Sequence, residues 1–113
     1  MIVYFHTKKL QKACCAEKEA VRTYGPPLAR KLMQRLQELA AADNLADIGR
    51  VPPPRCHELT GGRAGQLSVD LQHPYRLLFI PANDPVPRLP DGGLDWDRVT
   101  EIEIIEIADT HGT

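Results

Sequence analysis

The residues that could do chemistry fall in two stretches. One is Arg55 to Phe79, RCHELTGGRAGQLSVDLQHPYRLLF, and the other is the chain end, EIIEIADTH. The first sets His57 among Arg55, Arg63 and Arg76, around a Gly-rich turn. The second brings Asp109 and His111 just past the last strand-like run. An imidazole can give or take a proton near neutral pH, and a guanidinium can hold a phosphate through two parallel hydrogen bonds. Together they are the groups that cleavage of RNA through its own 2′-hydroxyl requires. A base takes the 2′ proton, an acid protonates the leaving 5′ oxygen, and cations offset the phosphorane charge.

Each of these residues also has a plain structural reading. His57 can hydrogen-bond a carbonyl. Arg76, flanked by apolar neighbours in YRLLFI, can pair with Asp70 or Glu106 across a sheet. His111 lies close to the chain end, where side chains are often frayed. His6 and His73 read as structural, one following a strand and one opening a turn. Arg63 on the turn could clamp a phosphate together with backbone N–H groups. No GxGxxG, P-loop, HExxH or GxSxG pattern occurs, and no cofactor or metal is expected. Cys14, Cys15 and Cys56 are odd in number and have no CxxC spacing, against a disulfide framework or zinc site.

The elements that would position these groups follow from periodicity. Residues 1–113 read as a single domain, large enough for one core without disulfides. Met1–Phe5 reads as a strand. Thr7 can cap a helix running from Lys8 to Tyr24, where Leu10, Cys14, Val21 and Tyr24 define one face. Gly25 ends it, and Pro26–Pro27 open a second helix whose Leu28, Leu32, Leu36 and Leu39 form a stripe suited to core packing. Asn44–Gly49 reads as one more turn, and Pro52–Pro53–Pro54 as a stiff link. Strands are expected at Cys56–Leu59, Gln66–Gln72, Tyr75–Ile80 and Arg98–Ala108. YRLLFI is apolar on both faces and reads as a central strand. In the last strand, EIEI alternation slips phase at Ile105, which predicts a β-bulge or apolar burial on both faces near the end. Residues 81–97 form a long loop that Trp96 should pin to the body. The fold class is α+β, with a helical hairpin on one face of a mainly antiparallel sheet.

Charge is divided along the chain. Residues 1–66 carry 11 Lys/Arg and 6 Asp/Glu, whereas residues 67–113 carry 3 and 9. The first half could show a basic face to nucleic acid or the ribosome, or the halves could neutralise each other. No membrane-length apolar run and no signal-peptide pattern is seen, so a cytoplasmic protein is expected.

The segments ARKLMQRLQELAAADNLADI, RCHELTGGRAGQLSVDL, PYRLLFIPAND and EIEIIEIADTH, in that order, resemble HigB-like toxins of the RelE/ParE superfamily. The resemblance spans nearly the whole chain. It implies a RelE-like fold, a HigA-type helix-turn-helix antitoxin as partner, contact with DNA only through that antitoxin, and ribosome-dependent cleavage of mRNA. It implies active-surface roles for His57, Arg63, Arg76, Asp109 and His111. Thr60 and Thr110 stand where the family pattern often has a basic residue and a tyrosine. ParE-like relatives act on DNA gyrase instead, so a gyrase-directed or otherwise non-nucleolytic toxin, or an inactive partner of an antitoxin, are the alternative readings.

Overall fold

A computed structural model of the chain describes residues 1–50 and 53–109. Pro52, Thr110 and His111 therefore lie outside the described residues. Strand β1 (Ile2–Phe5) leads into helices α1 (Lys8–Cys15), α2 (Glu17–Tyr24) and α3 (Pro26–Ala41). Strands β2 (His57–Glu58), β3 (Leu67–Asp70), β4 (Tyr75–Pro81) and β5 (Glu101–Asp109) follow. The five strands form one mixed sheet in the order β1-β5-β4-β3-β2, with β1 parallel to β5 and every other pair antiparallel. This is an α+β fold, and the strand that is apolar on both faces, β4, is the central one.

The helical layer corrects one expectation. The continuous helix over Lys8–Tyr24 is two helices, broken at Ala16, whose φ of −133° and ψ of 124° are extended. Ala16 caps both: it ends α1 and begins α2, whose first turn carries Glu17 and Glu19 at the positive end of the helix dipole. The layer thus has three helices rather than a hairpin. Thr7 caps α1 as expected, its hydroxyl accepting from the Leu10 N–H at 3.1 Å. Gly25, at φ +85°, makes the turn from α2 into α3, a conformation costly for any residue with a Cβ. Asn44 caps a short 3₁₀ turn at Leu45–Asp47.

The core lies between the helices and one sheet face. Leu28, Leu32 and Leu39 of α3 are buried and Leu36 is half-buried, so the stripe faces the core. Leu67, Val69, Leu77, Phe79, Ile102 and Ile104 oppose it from the sheet. The loop after β4 contributes Leu94, Trp96 and Val99 to the same cluster. The phase slip in β5 is a bulge: Leu78 pairs with Glu106 and Phe79 with Ile104, leaving Ile105 without an opposite residue. The extra residue keeps Ile102, Ile104 and Ile107 on the core side while Glu106 turns outward. Among the described residues no helix is long and apolar enough to cross a membrane.

Candidate functional site

The sheet face away from the helices carries the polar residues of the central strands. Strand pairing aligns them in rows, because directly opposed residues share a face. One row runs His57–Ser68–Leu78–Glu106 across β2, β3, β4 and β5. The next, two residues or about 7 Å along the strands, runs Asp70–Arg76–Ala108.

In the first row the imidazole Nδ1 of His57 lies 3.3 Å from the Arg55 carbonyl oxygen and 3.5 Å from Ser68 Oγ. With Nδ1–H donating to that carbonyl, Nε2 carries the lone pair and is the nitrogen able to take a proton. Ser68 and Leu78 are fully buried although they face away from the main core. Arg63 bridges above this row. From the 3₁₀ turn Gly61–Arg63 its Nη1 donates to Glu106 Oε2 at 3.2 Å and to Gln66 Oε1 at 3.4 Å. The TGGRAG segment is thus a tight turn, with Gly61 and Gly65 at positive φ, whose arginine is tied to β5.

Asp70 is the hub of the second row. Arg55 grips it with two hydrogen bonds, Nε to Oδ2 at 2.8 Å and Nη2 to Oδ1 at 2.9 Å. Arg76 Nε stands 3.4 Å from Oδ1. The Asp70 carboxylate raises the pKa of Arg55 through these hydrogen bonds. The Asp70 backbone is fixed as well. Its N–H donates to the Pro54 carbonyl at 2.9 Å, and its carbonyl accepts from Arg35 Nε at 2.7 Å. Arg35 is only 3% exposed and is held in turn by Glu38 at 3.0 Å. Arg55 itself has φ +56°, a left-handed backbone that costs a non-glycine residue on the order of 1 kcal/mol.

Two of the sites expected from sequence are therefore neighbours, His57 beside Ser68 and Arg55 with Arg76 around Asp70. Arg63 is held one row away by Glu106. Asp109 pairs with Tyr75, one position past the Arg76–Ala108 pair. It belongs to the alternate face at the same end of the sheet. His111 is outside the described residues. Sequence reasoning gave no role to Arg35, and considered Asp70 and Glu106 only as partners for Arg76. Arg35 carried a faint signal, being a charged residue one step from Leu36 and inside the arc of the buried leucine stripe. The outward carboxylates of β5 have surface partners: Glu101 accepts from Tyr4 Oη at 2.9 Å and Glu103 lies 2.9 Å from His6 Nδ1.

The edge strand β2 is steadied from the loop. Trp96 Nε1 donates to Glu58 Oε2 at 3.0 Å, and the Arg50 guanidinium stacks 3.6 Å above the indole. This is the anchoring role expected of the single tryptophan.

Fold and site define a small α+β protein whose outer sheet face gathers guanidiniums, imidazoles and a few carboxylates. No protein-family model matches the chain, and no curated protein matches it significantly.

Proposed function

We propose that the protein is a HigB-like toxin of the RelE/ParE superfamily, working in the cytoplasm as a ribosome-dependent mRNA endoribonuclease and neutralised by a HigA-type antitoxin. The observation that carries this reading is the meeting of Arg55 and Arg76 on one carboxylate, one row from His57. Two planar guanidiniums brought to one end of the sheet present the fork geometry that suits a phosphodiester. His57 Nε2 takes the 2′-hydroxyl proton, and the 2′ oxygen attacks phosphorus. The 5′ oxygen leaves with a proton from His111, the acid that the resemblance implies near the chain end. The products are a 2′,3′-cyclic phosphate and a free 5′-hydroxyl. An N-terminal strand, a helical layer and a mainly antiparallel sheet also suit the RelE-like architecture that the sequence resemblance implies.

Arg76→Ala is expected to slow cleavage on translating ribosomes by about 10²–10³, the scale of one lost transition-state donor. mRNA ends mapped after induction give the measurement, and circular dichroism checks the fold. Normal cleavage by a folded Arg76→Ala protein would sink the assignment. A second reading, a gyrase-directed or non-nucleolytic toxin, is favoured by one fact: Arg55, Arg63 and Arg76 each already face a carboxylate. Intact mRNA with inhibited supercoiling after induction would support it.

A further inference from the structure

Strand β1 is shorter than the strand it pairs with. It lies beside β5 from Glu101 to Ile104, and the His6 N–H donates to the Ile104 carbonyl at 2.9 Å where the pairing ends. The chain then leaves the sheet for α1, while β5 runs on to Asp109. Among the described residues, Ile105–Ala108 therefore have β4 on one side and no strand on the other. A groove of about 450 Å³ follows this open edge, between α1, α2 and β5. We propose that the groove docks an extended, acidic segment of a partner protein, which adds as a strand along Ile105–Ala108, seats an apolar side chain between Leu10 and Ile107, and brings carboxylates to Lys9 and Lys12. The docking uses none of the residues given a role in cleavage and stands apart from that reading.

The backbone of the edge asks for a strand. A row of N–H and C=O groups without a neighbouring strand is a template for one more chain, and an extended peptide meets it with main-chain hydrogen bonds. Ile105, Glu106 and Ile107 are consecutive and all line the groove, although neighbouring side chains of a strand point to opposite faces. The groove therefore runs along the edge of β5 rather than over one face of the sheet. Its wall is apolar: Leu10, Tyr24, Ile105 and Ile107 are half-buried there and Ala13 is buried. Its rim is basic, with Lys9, Lys12 and Arg22 exposed. The two carboxylates of the groove are already engaged, Glu19 by Arg22 and Glu106 by Arg63. Lys9 and Lys12 have no carboxylate partner among the described residues, so the uncompensated charge at the rim is positive and complements acidic side chains. Side chains two apart in a strand share a face, so the segment carries its acidic residues two positions from the apolar one. The same lysines decide against a second copy of the chain. Pairing this edge with itself would bring two sets of Lys9 and Lys12 to one seam, like charge against like.

The test uses the full chain and a fluorescein-labelled heptapeptide, Thr-Glu-Thr-Leu-Thr-Glu-Thr, with both ends blocked. Binding is read by fluorescence anisotropy, and its place by amide hydrogen exchange. The peptide is expected to bind saturably and to slow exchange at Ile105–Ala108. Only one edge of an added strand faces β5. Two further peptides therefore carry N-methyl groups on alternate amides, one set on each edge. One of them should bind about tenfold more weakly or worse, and the other about as well as the parent. A peptide with lysine in place of both glutamates should lose about tenfold. The double variant Lys9→Glu/Lys12→Glu changes only exposed side chains of α1, and circular dichroism checks its fold. It should reverse the preference, weakening the glutamate peptide and strengthening the lysine peptide by about tenfold each. Lys18→Glu/Lys31→Glu makes the same change of net charge away from the groove and should leave both peptides within about twofold.

No saturable binding up to about 1 mM peptide would overturn the docking. So would equal affinity for the glutamate and lysine peptides, or an equal loss from both N-methylated forms, which marks a contact made without strand addition. Light scattering on the protein alone gives the remaining outcome. A dimer whose Ile105–Ala108 amides are protected before any peptide is added would assign the edge to a second copy and overturn the partner segment.

Discussion

At the residue scale, burial sorts the chemistry of otherwise similar side chains. Cys14 and Cys56 are 3% and 0% exposed, and burial raises each thiol from its ordinary value of 9.0 to about 12. Cys15, one residue further along α1, is exposed. The folded protein should therefore show one fast-reacting thiol to a disulfide reagent such as DTNB, and three after denaturation. Two fast thiols in the folded state would contradict the burial of α1 against the core. The same pKa values set a pH dependence. In the unfolded chain both thiols ionise near pH 9, while in the fold they stay neutral to about pH 12. The unfolded state thus holds fewer protons above pH 9, and stability falls as pH rises through that window. Below pH 9 the two states hold the same thiol protons and the effect vanishes. Urea midpoints at pH 8 and pH 10 should show the decline, and Cys56→Ala should make it shallower. Arginines divide in the same way: Arg35 is buried and holds the Asp70 carbonyl, whereas Arg55 stands half-exposed and grips the Asp70 carboxylate.

At the element scale, the loop and the edge strand hold one another. β2 has only two residues in the sheet, too few to fix the position of His57 through its ladder alone. Trp96 supplies the rest by its hydrogen bond to Glu58 and its stack beneath Arg50. Trp96→Phe keeps most of the apolar bulk but loses the N–H donor and part of the stack. It should cost about 1–2 kcal/mol in urea denaturation. Amide exchange at His57 and Glu58 should quicken more than at β4; equal protection in both strands would show that the loop does not steady β2. The elements also show which signals reach the surface of a sequence. YRLLFI announced a central strand because both its faces are apolar, and the phase slip at Ile105 announced the bulge because alternation has a period of two. The break at Ala16 was hidden. Leu10, Cys14, Val21 and Tyr24 keep a helical spacing across it, and neither glycine nor proline marks it. Only Glu17 and Glu19, acidic residues at a new helix start, hinted at the second helix. The pairing of Arg55 with Asp70 was equally hidden, because it depends on a left-handed arginine and on a strand end brought beside it from 15 residues away.

At the scale of the whole molecule, the charge division along the sequence becomes only in part a division between layers, because Arg55 and Arg63 of the first half sit against the sheet carboxylates. The lysines of α1 and α2, Lys8, Lys9, Lys12 and Lys18, are exposed on the helical side, while Glu101, Glu103 and Glu106 lie on the far sheet face. The halves also neutralise each other across the fold, since Arg63 pairs with Glu106 and Arg55 with Asp70. What joins the layers is the core. A single cluster runs from Cys14, Ala20 and Leu32 in the helices through Phe79 and Ile104 in the sheet to Leu94, Trp96 and Val99 in the long loop. The Cα radius of gyration is 13.6 Å, close to the roughly 13 Å expected for one compact domain of this length. Among the described residues the loop shares its core with the helices and sheet, so it is expected to leave only when they unfold. Trp96 is the only tryptophan and reports on the loop, while far-UV circular dichroism is dominated by the helices. The two signals should therefore follow one urea transition with the same midpoint. A tryptophan midpoint well below the helical one would mean that the loop opens as a separate unit, and that the anchoring of β2 through Trp96 is lost before the fold is.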